Sequence, residues 1–316
     1  FGLSLGAELI ANDRPLVVRY EGRFYFPVFV RYPETTFGGT FPTEAVYRDP
    51  FVMEEIRSKG WMLWPPIPFR WDTINYDLPG PAPSPPSRVN WLGTDDQGRD
   101  VLARLIYGFR TSVLFGLALT AISAIVGVAA GAVQGYFGGR VDLFVQRFIE
   151  IWSGLPVLYL LIILSSLVEP NVWWLLGLMA LFSWLALVGV VRAEFLRARN
   201  FDFVRAARAL GASNAVLMFR HVLPNALSPL IVAATLDVGW MITAAAGLSF
   251  LGLGAQPPQP EWGVMLSDGR QYVGVAPHLA LVPGFAIFSV VLALNLVGDG
   301  LRDALDPRLR GVTAQE

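Results

Sequence analysis

The sequence is poor in the side chains that most often carry enzyme chemistry. Its 316 residues include no cysteine, one lysine (Lys59) and two histidines (His221 and His278). Without cysteine, disulfides and cysteine-ligated metals are excluded, and two histidines are too few for a histidine-rich metal site. Neither histidine lies near the glycine-framed serine that marks a hydrolase nucleophile. We therefore predict no catalytic and no metal-binding residue.

A phosphate-binding loop is also missing. That motif places two glycines ahead of a Lys-Ser or Lys-Thr pair, whereas Lys59 is followed by Gly60 and has no such glycine frame. If this protein uses ATP, another chain must hydrolyse it. The sequence therefore predicts a subunit that is not itself an enzyme and that binds no cofactor of its own.

Charged residues are scarce, at 16% of the chain, while 54% is hydrophobic and the mean hydropathy is +0.49. These values lie outside the range of soluble proteins and indicate an all-α polytopic membrane protein. The net charge of −1 gives no reason to expect a nucleic-acid partner. Five apolar segments are each long enough to cross about 30 Å of hydrocarbon. They are residues 111–133, 144–167, 172–191, 225–248 and 277–297.

Residues 1–11 form a further apolar segment, about half of the ~20 residues that a spanning helix needs. We interpret it as the outer end of a first transmembrane helix that begins before this numbering, which gives six spans. A cleaved signal peptide is the alternative, but no basic segment precedes it.

Arginine bias predicts the orientation, because basic loops stay in the cytoplasm. The segment from Arg192 to Arg220 is rich in arginine, and the tail carries Arg302, Arg308 and Arg310. Both are predicted to be cytoplasmic, and residues 12–90 are predicted to lie outside, in the periplasm. Tryptophans occur where interfacial belts are expected, at Trp173, Trp174 and Trp262.

Residues 12–90 form a polar, aromatic and proline-rich insertion. Residues 16–21 and 23–30 flank Gly22 and predict a β-hairpin, in which Pro27 confines the second strand to an edge. Residues 49–59 predict a short helix, and residues 79–87 a stiff proline-rich linker. The aromatic residues of the insertion are either a small core or an adhesive surface.

Residues 92–110 predict an amphipathic helix at the membrane surface, starting at Thr94 or Asp95. Three acids, Asp95, Asp96 and Asp100, lack the spacing of a calcium-binding loop, so helix capping explains them better.

The stretch 201–224 is a polar segment rich in arginine and alanine between two apolar spans. Its pattern predicts two short helices, the first with an apolar stripe at Phe203, Ala207 and Leu210. Gly211 suits a left-handed stop, Ser213 can cap the second helix, and Pro224 is predicted to end the unit. An ordinary basic loop is the alternative interpretation.

The order Ala206-Ala207, Gly211, Leu223-Pro224 resembles the EAA loop of ABC-importer permeases, which docks on the ATPase subunit. Four further stretches extend the resemblance: GTDDQGRD at 93–100, GYFGGRVD at 135–142, and the segments 248–263 and 298–310. Together they are similar to C-type permeases of dipeptide and oligopeptide importers, and most of all to the permeases of microcin C/oligopeptide importers.

This resemblance implies a MetI-like permease fold and an ATP-driven importer of peptides, with microcin C-like conjugates among the substrates to consider. It implies a second permease subunit forming a heterodimer, a periplasmic peptide-binding protein, and an ABC ATPase, often one fused double chain, which would bind ATP and Mg. The inner membrane is the implied location. The residues implied to couple to the ATPase are Asp202, Arg205, Ala206, Ala207, Gly211, Leu223 and Pro224.

Arg205 departs from the family, which has glutamate at this position. Arginine cannot replace a carboxylate in kind, so the ATPase contact here is expected to differ from the common one. The predicted organisation comprises the helix end 1–11, insertion 12–90, amphipathic helix 91–110, core 111–300 with coupling loop 198–224, and tail 301–316.

Asp237 stands near the middle of the fifth span, where an acid costs about 2.5–3.5 kcal/mol on insertion scales. It is expected to line a translocation path together with Trp240, or to be a buried acid hydrogen-bonded to a neighbouring helix. An ion-coupled transporter or a membrane scaffold is the alternative function, although few intramembrane acids and no inverted repeat are visible.

Overall fold

The computed structural model describes residues 2–305, with the backbone alone for Leu3. Arg308 and Arg310 of the tail, which contributed to the predicted orientation, lie outside the described residues. The helices are α1 (Gly2–Leu5), α2 (Ala7–Ile10), α3 (Pro50–Lys59), α4 (Val101–Phe137), α5 (Gly139–Ser153), α6 (Val157–Ser165), α7 (Val172–Ser183), α8 (Leu185–Ala198), α9 (Asp202–Ala209), α10 (Asn214–Val216), α11 (Leu223–Phe250), α12 (Trp262–Gly269) and α13 (His278–Leu305). The strands are β1 (Val17–Tyr20), β2 (Arg23–Tyr25) and β3 (Gly60–Leu63).

Four helical stretches within residues 2–305 are long and apolar enough to cross a membrane: Val101–Phe137, Val172–Ala198, Asn214–Phe250 and His278–Leu305. A fifth span is possible if α5 and α6, which meet at a 59° bend, cross together. These five correspond to the five predicted apolar segments, so the helical membrane fold is confirmed. The first predicted span stays a prediction, because residues 2–10 form only the two short helices α1 and α2.

The chain divides into two compact units. Within the described residues, the first comprises 2–112 and 257–286, and the second comprises 113–256 and 287–305. The first unit contains the insertion, and the second contains the polar segment 201–224. The division falls within the continuous helices α4 and α13.

The insertion of the first unit is a small α/β layer. β1 pairs antiparallel with β2, as the predicted hairpin requires, and also with β3, which the sequence pattern did not predict. Asp49 caps α3, as predicted for the helix over 49–59, by accepting hydrogen bonds from the backbone amides of Phe51 and Val52. Its aromatic core is made of Tyr20, Phe37 and Tyr47, packed with Val18, Val52 and Ile56.

The predicted amphipathic helix over 92–110 is wrong in its first half. α4 begins at Val101, where the Asp100 carboxylate accepts a hydrogen bond from the Ala103 amide at 2.7 Å and caps the helix. Gly93 and Gly98 adopt positive φ angles of 76° and 81°, which interrupt any helix over residues 93–100. Asp100 therefore starts the helix, and neither Thr94 nor Asp95 does.

Pro224 does not end the polar unit as predicted. The helix is continuous from Asn214 to Phe250, and it passes through a π-helical segment at Leu217–Val222 just before the proline. A proline lacks the N–H for a normal helical turn and its ring crowds the carbonyl four residues earlier. The wider π turn at this place relieves that conflict and lets the helix continue.

Three glycines of α4 lie four residues apart on one face, at Gly127, Gly131 and Gly135. A β-carbon built on each would lie 2.6–2.9 Å from a backbone carbonyl oxygen of α8 or of Trp184 just before it. Only hydrogen fits at these positions, so α4 and α8 pack backbone to backbone, as small-residue motifs allow in membrane helices.

Candidate functional site

Of the two short helices predicted for the polar segment 201–224, α9 forms as a separate helix, whereas α10 is the first turn of the continuous helix Asn214–Phe250. We call α9 and α10 together the helix pair. α9 covers Asp202–Ala209, Gly211 turns the chain with φ of 88°, and α10 begins at Asn214. The Ser213 hydroxyl accepts a hydrogen bond from the Val216 amide at 3.5 Å, as expected of a cap. The conformation at Gly211 is one that side-chain-bearing residues rarely adopt, so the sharp turn requires glycine.

The buried face of α9 differs from the predicted apolar stripe. Val204 is fully buried, whereas Phe203 is 43% and Leu210 89% exposed. Val204 and Ala207 lie three residues apart and face the protein, and Phe203 precedes Val204 by one position, about 100° around the helix. The exposed side of the pair therefore presents apolar groups to the surroundings.

Val204 of α9 packs against residues of three long helices. It belongs to a buried cluster in the second unit that draws on α4, α8 and the continuous helix from Asn214 to Phe250. The members of this cluster include Ala132, Tyr136, Leu187, Val191, Phe195, Ala198, Leu217, Met218, Val222, Ala226 and Leu230. Val204 and the neighbouring parts of these helices therefore share one packed interior, and such interiors deform little.

Tyr136, near the end of α4, joins both helices of the pair. Its hydroxyl donates a hydrogen bond to Asn214 Oδ1 at 2.8 Å and accepts one from the Arg208 guanidinium at 3.0 Å. Arg199, which follows α8, donates to the backbone carbonyls of Gly135 and Tyr136 at 3.3 and 3.2 Å. One tyrosine therefore links α4 to a residue of α9 and to the first residue of α10.

A second polar link joins α5 to α8. Asp142, at the start of α5, accepts two hydrogen bonds from the Arg192 guanidinium of α8, both at 2.7 Å. Such a two-pronged pair fixes direction as well as distance. The sequence analysis used the stretch containing Tyr136 and Asp142 only for the family resemblance and predicted neither contact. The polar side chains spaced around Gly138 and Gly139 were the available signal.

The predicted coupling residues occupy the outside of this unit. Asp202, Arg205, Ala206, Gly211 and Pro224 are exposed, while Ala207 and Leu223 are partly buried. Arg205 forms no salt bridge with any residue of the described range 2–305. The exposed face therefore offers a cation and apolar groups together, and its docking role stays a prediction.

Asp237 and Trp240 lie on the long helix α11. The Asp237 side chain is partly buried, and its Oδ2 has no hydrogen-bond partner among residues 2–305, whereas Trp240 is 68% exposed. Next to them Gly239 faces Val291 and Leu294 of α13. The expected hydrogen bond from a neighbouring helix to this oxygen is therefore not formed in the part of the chain described.

The first unit holds a buried charge cluster within the GTDDQGRD stretch. Asp95 accepts hydrogen bonds from the side chains of Arg99 and Arg104, and Arg104 also pairs with Asp268 at 3.2 Å. Asp95, Arg99 and Arg104 are each at least 97% buried. Burial also raises the pKa of the neighbouring Asp96 and that of Asp100.

Trp262 is not at an interfacial belt as predicted. It is 1% exposed, and its ring nitrogen donates a hydrogen bond to the Leu105 carbonyl at 3.2 Å. Its ring packs against Phe109 and over Gly108, where a β-carbon would lie 2.8 Å from the indole. Trp173 is 79% exposed, in agreement with a boundary position.

Comparisons with known proteins agree on one family. Residues 103–311 match the family model described as "Binding-protein-dependent transport system inner membrane component". The chain is 51% identical to the inner membrane ABC transporter permease protein YejE of Escherichia coli K12, over 97% of the chain and 90% of that protein. It is 48% identical to the peptidoglycan transport system permease protein YejE of Agrobacterium fabrum, over 98% of the chain and 87% of that protein.

More distant relatives match a shorter part of the chain. The dipeptide transport system permease protein DppC of Alkalihalophilus pseudofirmus is 43% identical over 71% of the chain and 74% of that protein. Among solved structures, an inward-facing MetNI methionine ABC transporter matches with a TM-score of 0.54 and 16% identity, over 65% of this chain and 97% of that one. The structural likeness concerns the fold alone.

Proposed function

Because the chain belongs to the family of binding-protein-dependent transport system inner membrane components, we propose that it forms part of the membrane pathway of an ATP-driven peptide importer. Its relatives are permease subunits, and this chain has no phosphate-binding loop to hydrolyse ATP. It acts as a transport subunit without a catalytic site, and ATP and Mg are bound by a separate ATPase. Membership of this family decides against an ion-coupled secondary transporter.

Peptides are the substrate class that the relatives support. Dipeptide and oligopeptide permeases are 43% and 37% identical to this chain, and a relative at 48% carries the name of a peptidoglycan transport system. Peptides attached to larger groups, such as cell-wall fragments or microcin C-like conjugates, therefore belong to the proposed range. The common chemistry is a peptide backbone with charged termini.

The proposed assembly contains a second permease subunit as a heterodimer partner, an ABC ATPase, and a periplasmic peptide-binding protein. A fused ATPase with two nucleotide-binding halves is the proposed form. The helix pair 202–216 lies in the cytoplasm of this arrangement, and the insertion 12–90 lies in the periplasm, in accord with the arginine bias.

The observation that carries this proposal is the anchored helix pair. Its outer face presents Phe203, Leu210 and Arg205, while its inner face is fixed by Val204 and by the two hydrogen bonds of Tyr136. Closure of an ATPase against the outer face would push on α9, and the buried cluster would pass the movement to α4, α8 and α11. Arg205 would form a salt bridge with a carboxylate of the ATPase where the two proteins meet.

The test of the function is peptide uptake by the whole complex. The chain, its partner permease, the ATPase and the binding protein are reconstituted in vesicles, and uptake of labelled peptides is measured with and without ATP. ATP-dependent uptake of peptides, but not of single amino acids, is the expected result. An assembled complex that hydrolyses ATP but takes up no peptide would contradict the proposal.

Tyr136→Phe is expected to lower ATP-driven uptake by about 5–30-fold. The phenylalanine ring still fills the buried cluster, but the hydroxyl that links Arg208 to Asn214 is lost. Losing these hydrogen bonds is expected to raise the free-energy barrier to transport by about 1–2 kcal/mol. Initial uptake rates in vesicles measure this effect. Tyr159→Phe is the matched control, because Tyr159 is 67% exposed. Equal uptake by both variants would remove Tyr136 from the coupling route.

We further propose that Asp237 and Trp240, which both lie on α11, line the translocation path. Asp237, whose Oδ2 has no hydrogen-bond partner within the described residues, would present an anion to the path, and the exposed Trp240 ring would present an apolar surface. A carboxylate in a narrow passage attracts cationic groups without needing a fixed binding geometry. Passing peptides with basic side chains are the groups concerned.

Asp237→Asn is expected to slow uptake of basic peptides about fivefold more than uptake of acidic ones, which corresponds to about 1 kcal/mol. The change keeps the side-chain shape and removes only the charge. Competition between labelled basic and acidic peptides of equal length measures the ratio. Asp299→Asn, which makes the same change at an exposed acid of α13, is the control. Equal slowing of both peptide classes would return Asp237 to a structural role.

A further inference from the structure

One face of the three-stranded sheet in the insertion is open. Arg19 in the central strand β1 lies opposite Phe24 of β2 on one side and opposite Trp61 of β3 on the other. Because strand side chains alternate, Leu63 lies on this face as well and Phe26 continues it beyond β2. The other face carries Val18, Tyr20, Tyr25 and Met62, which contribute to the insertion's core.

This surface, named here the Arg19 face, consists of Arg19, Phe24, Phe26, Trp61 and Leu63. Its four apolar members are between 45% and 58% exposed. The Phe24 and Trp61 rings meet edge to face with centroids 6.3 Å apart, and the Arg19 guanidinium lies 5.9 Å from the Phe24 centroid. Exposed tryptophan and arginine at the centre of an apolar patch are the residues that dominate binding energy at protein interfaces.

The charge on Arg19 has no intramolecular counterpart within residues 2–305. Some other cations of the insertion are paired: Arg14 and Arg31 with Glu44, and Lys59 with Glu21 and Glu55. Like Arg19, the side chains of Arg23, Arg57 and Arg88 form no salt bridge within the described residues, but Arg19 alone of these four lies beside the aromatic rings of the Arg19 face. A guanidinium between aromatic rings is held in position yet still has its hydrogen-bond donors to offer. A partner surface complementary to the Arg19 face would therefore present a carboxylate surrounded by apolar groups.

The Arg19 face lies outside the region that the family model matches. The insertion lies before the shared permease region, which begins at residue 103. Relatives that match 97% and 98% of the chain include it, whereas the dipeptide permease from Alkalihalophilus pseudofirmus matches only 71%. The insertion is thus shared by the relatives that match nearly the whole chain, and it lies outside the region that the family model matches.

We propose that the Arg19 face is the docking surface for the peptide-binding protein of this transporter, with Arg19 pairing to a carboxylate of that protein. This inference rests on the proposed function, which places the insertion in the periplasm. The family model describes a transport system that depends on a binding protein, and in the proposed arrangement this partner approaches from the periplasmic side. An apolar rim with one central charge would supply both affinity and register.

The experiment uses the full permease–ATPase complex in nanodiscs and the purified, peptide-loaded binding protein, with Kd measured by biolayer interferometry. Arg19→Glu and Trp61→Ser are each expected to raise Kd about tenfold or more. Arg19→Met keeps the apolar stem and is expected to reduce the dependence of Kd on salt. Tyr76→Ser is the control, because Tyr76 is 86% exposed and lies outside the Arg19 face.

Kd values within twofold of wild type for both Arg19→Glu and Trp61→Ser would overturn the inference. So would loss of the second permease subunit from the purified variants, which would assign the face to the contact between permeases. Failure of the wild-type complex to bind the loaded protein at all overturns it too. If binding changes as expected but the wild-type complex imports no peptide, the proposed function fails and the docking surface stands.

Discussion

Gly211→Val is expected to abolish ATP-driven peptide uptake while the protein still inserts and assembles. Gly211 adopts φ of 88°, and a β-carbon built on it meets no atom within 4 Å. Steric clash with neighbours is therefore not the cause. A β-branched side chain is strained in the left-handed region itself, at a cost of roughly 1–3 kcal/mol. The turn relaxes by changing φ, which swings α10 away from α9.

The consequence of that swing follows from the two bonds of Tyr136. Its hydroxyl contacts Arg208 before the turn and Asn214 after it, so both hydrogen bonds survive only if the turn keeps its angle. The ATPase would then press on a helix pair that no longer moves α4. Peptide-stimulated ATPase activity and peptide uptake, both measured in the reconstituted complex, are expected to fall to background.

Gly211→Asn is the matched control, because asparagine tolerates the left-handed conformation far better than valine. It is expected to retain most of the uptake. Full peptide-stimulated ATPase activity in Gly211→Val would show that the angle of this turn is unimportant for coupling. Equal loss in both variants would indicate that the side chain, rather than the backbone angle, blocks the ATPase.

Asp95→Ala is expected to destabilise the protein by about 3–5 kcal/mol. The carboxylate of Asp95 is the closest anion to two buried guanidiniums, those of Arg99 and Arg104. Removing it leaves two buried cations that share one acid, Asp268, which lies 3.9 Å from Arg99 and 3.2 Å from Arg104. It also removes the acceptor for the Gln97 and Arg99 amides. Thermal unfolding in detergent measures the loss.

Two further variants make this experiment specific. Asp96→Ala changes the adjacent acid, which forms no salt bridge within the described residues, and is expected to cost about 1 kcal/mol or less. Asp95→Ala combined with Arg104→Met removes one of the stranded cations and is expected to recover part of the stability. A double variant no more stable than Asp95→Ala alone would show that the cation at 104 tolerates burial without this acid.

The sequence was most informative where local chemistry decides the structure. Gly211, Ser213 and the polar composition around them predicted α9, the turn after it and the start of α10, because a turn and a cap depend on neighbouring residues. The long apolar segments predicted the spans for the same reason, since length and hydropathy are local quantities. The family resemblance then added the function, which none of these local patterns contains.

Prediction failed where a distant segment decides the outcome. The apolar stripe placed at Phe203 and Leu210 is solvent-exposed, because the buried face of α9 is chosen by the ends of three other helices. β3 was missed because its partner β1 lies about forty residues earlier and periodicity does not report pairing. The role of Tyr136 depends on side chains that are more than sixty residues away.

The glycine stripe of α4 also has a consequence for biosynthesis. α8, the helix that covers Gly127, Gly131 and Gly135, is completed about sixty residues after α4 ends, a delay of roughly 3–12 s at ribosomal speed. Through that interval α8, which covers this face in the folded chain, has not been synthesised, and the mean hydropathy of α4, which reaches 2.4, favours its entry into the bilayer without α8. The insertion of α4 into the lipid and its packing against α8 are therefore separate events in time, because α8 must first be synthesised.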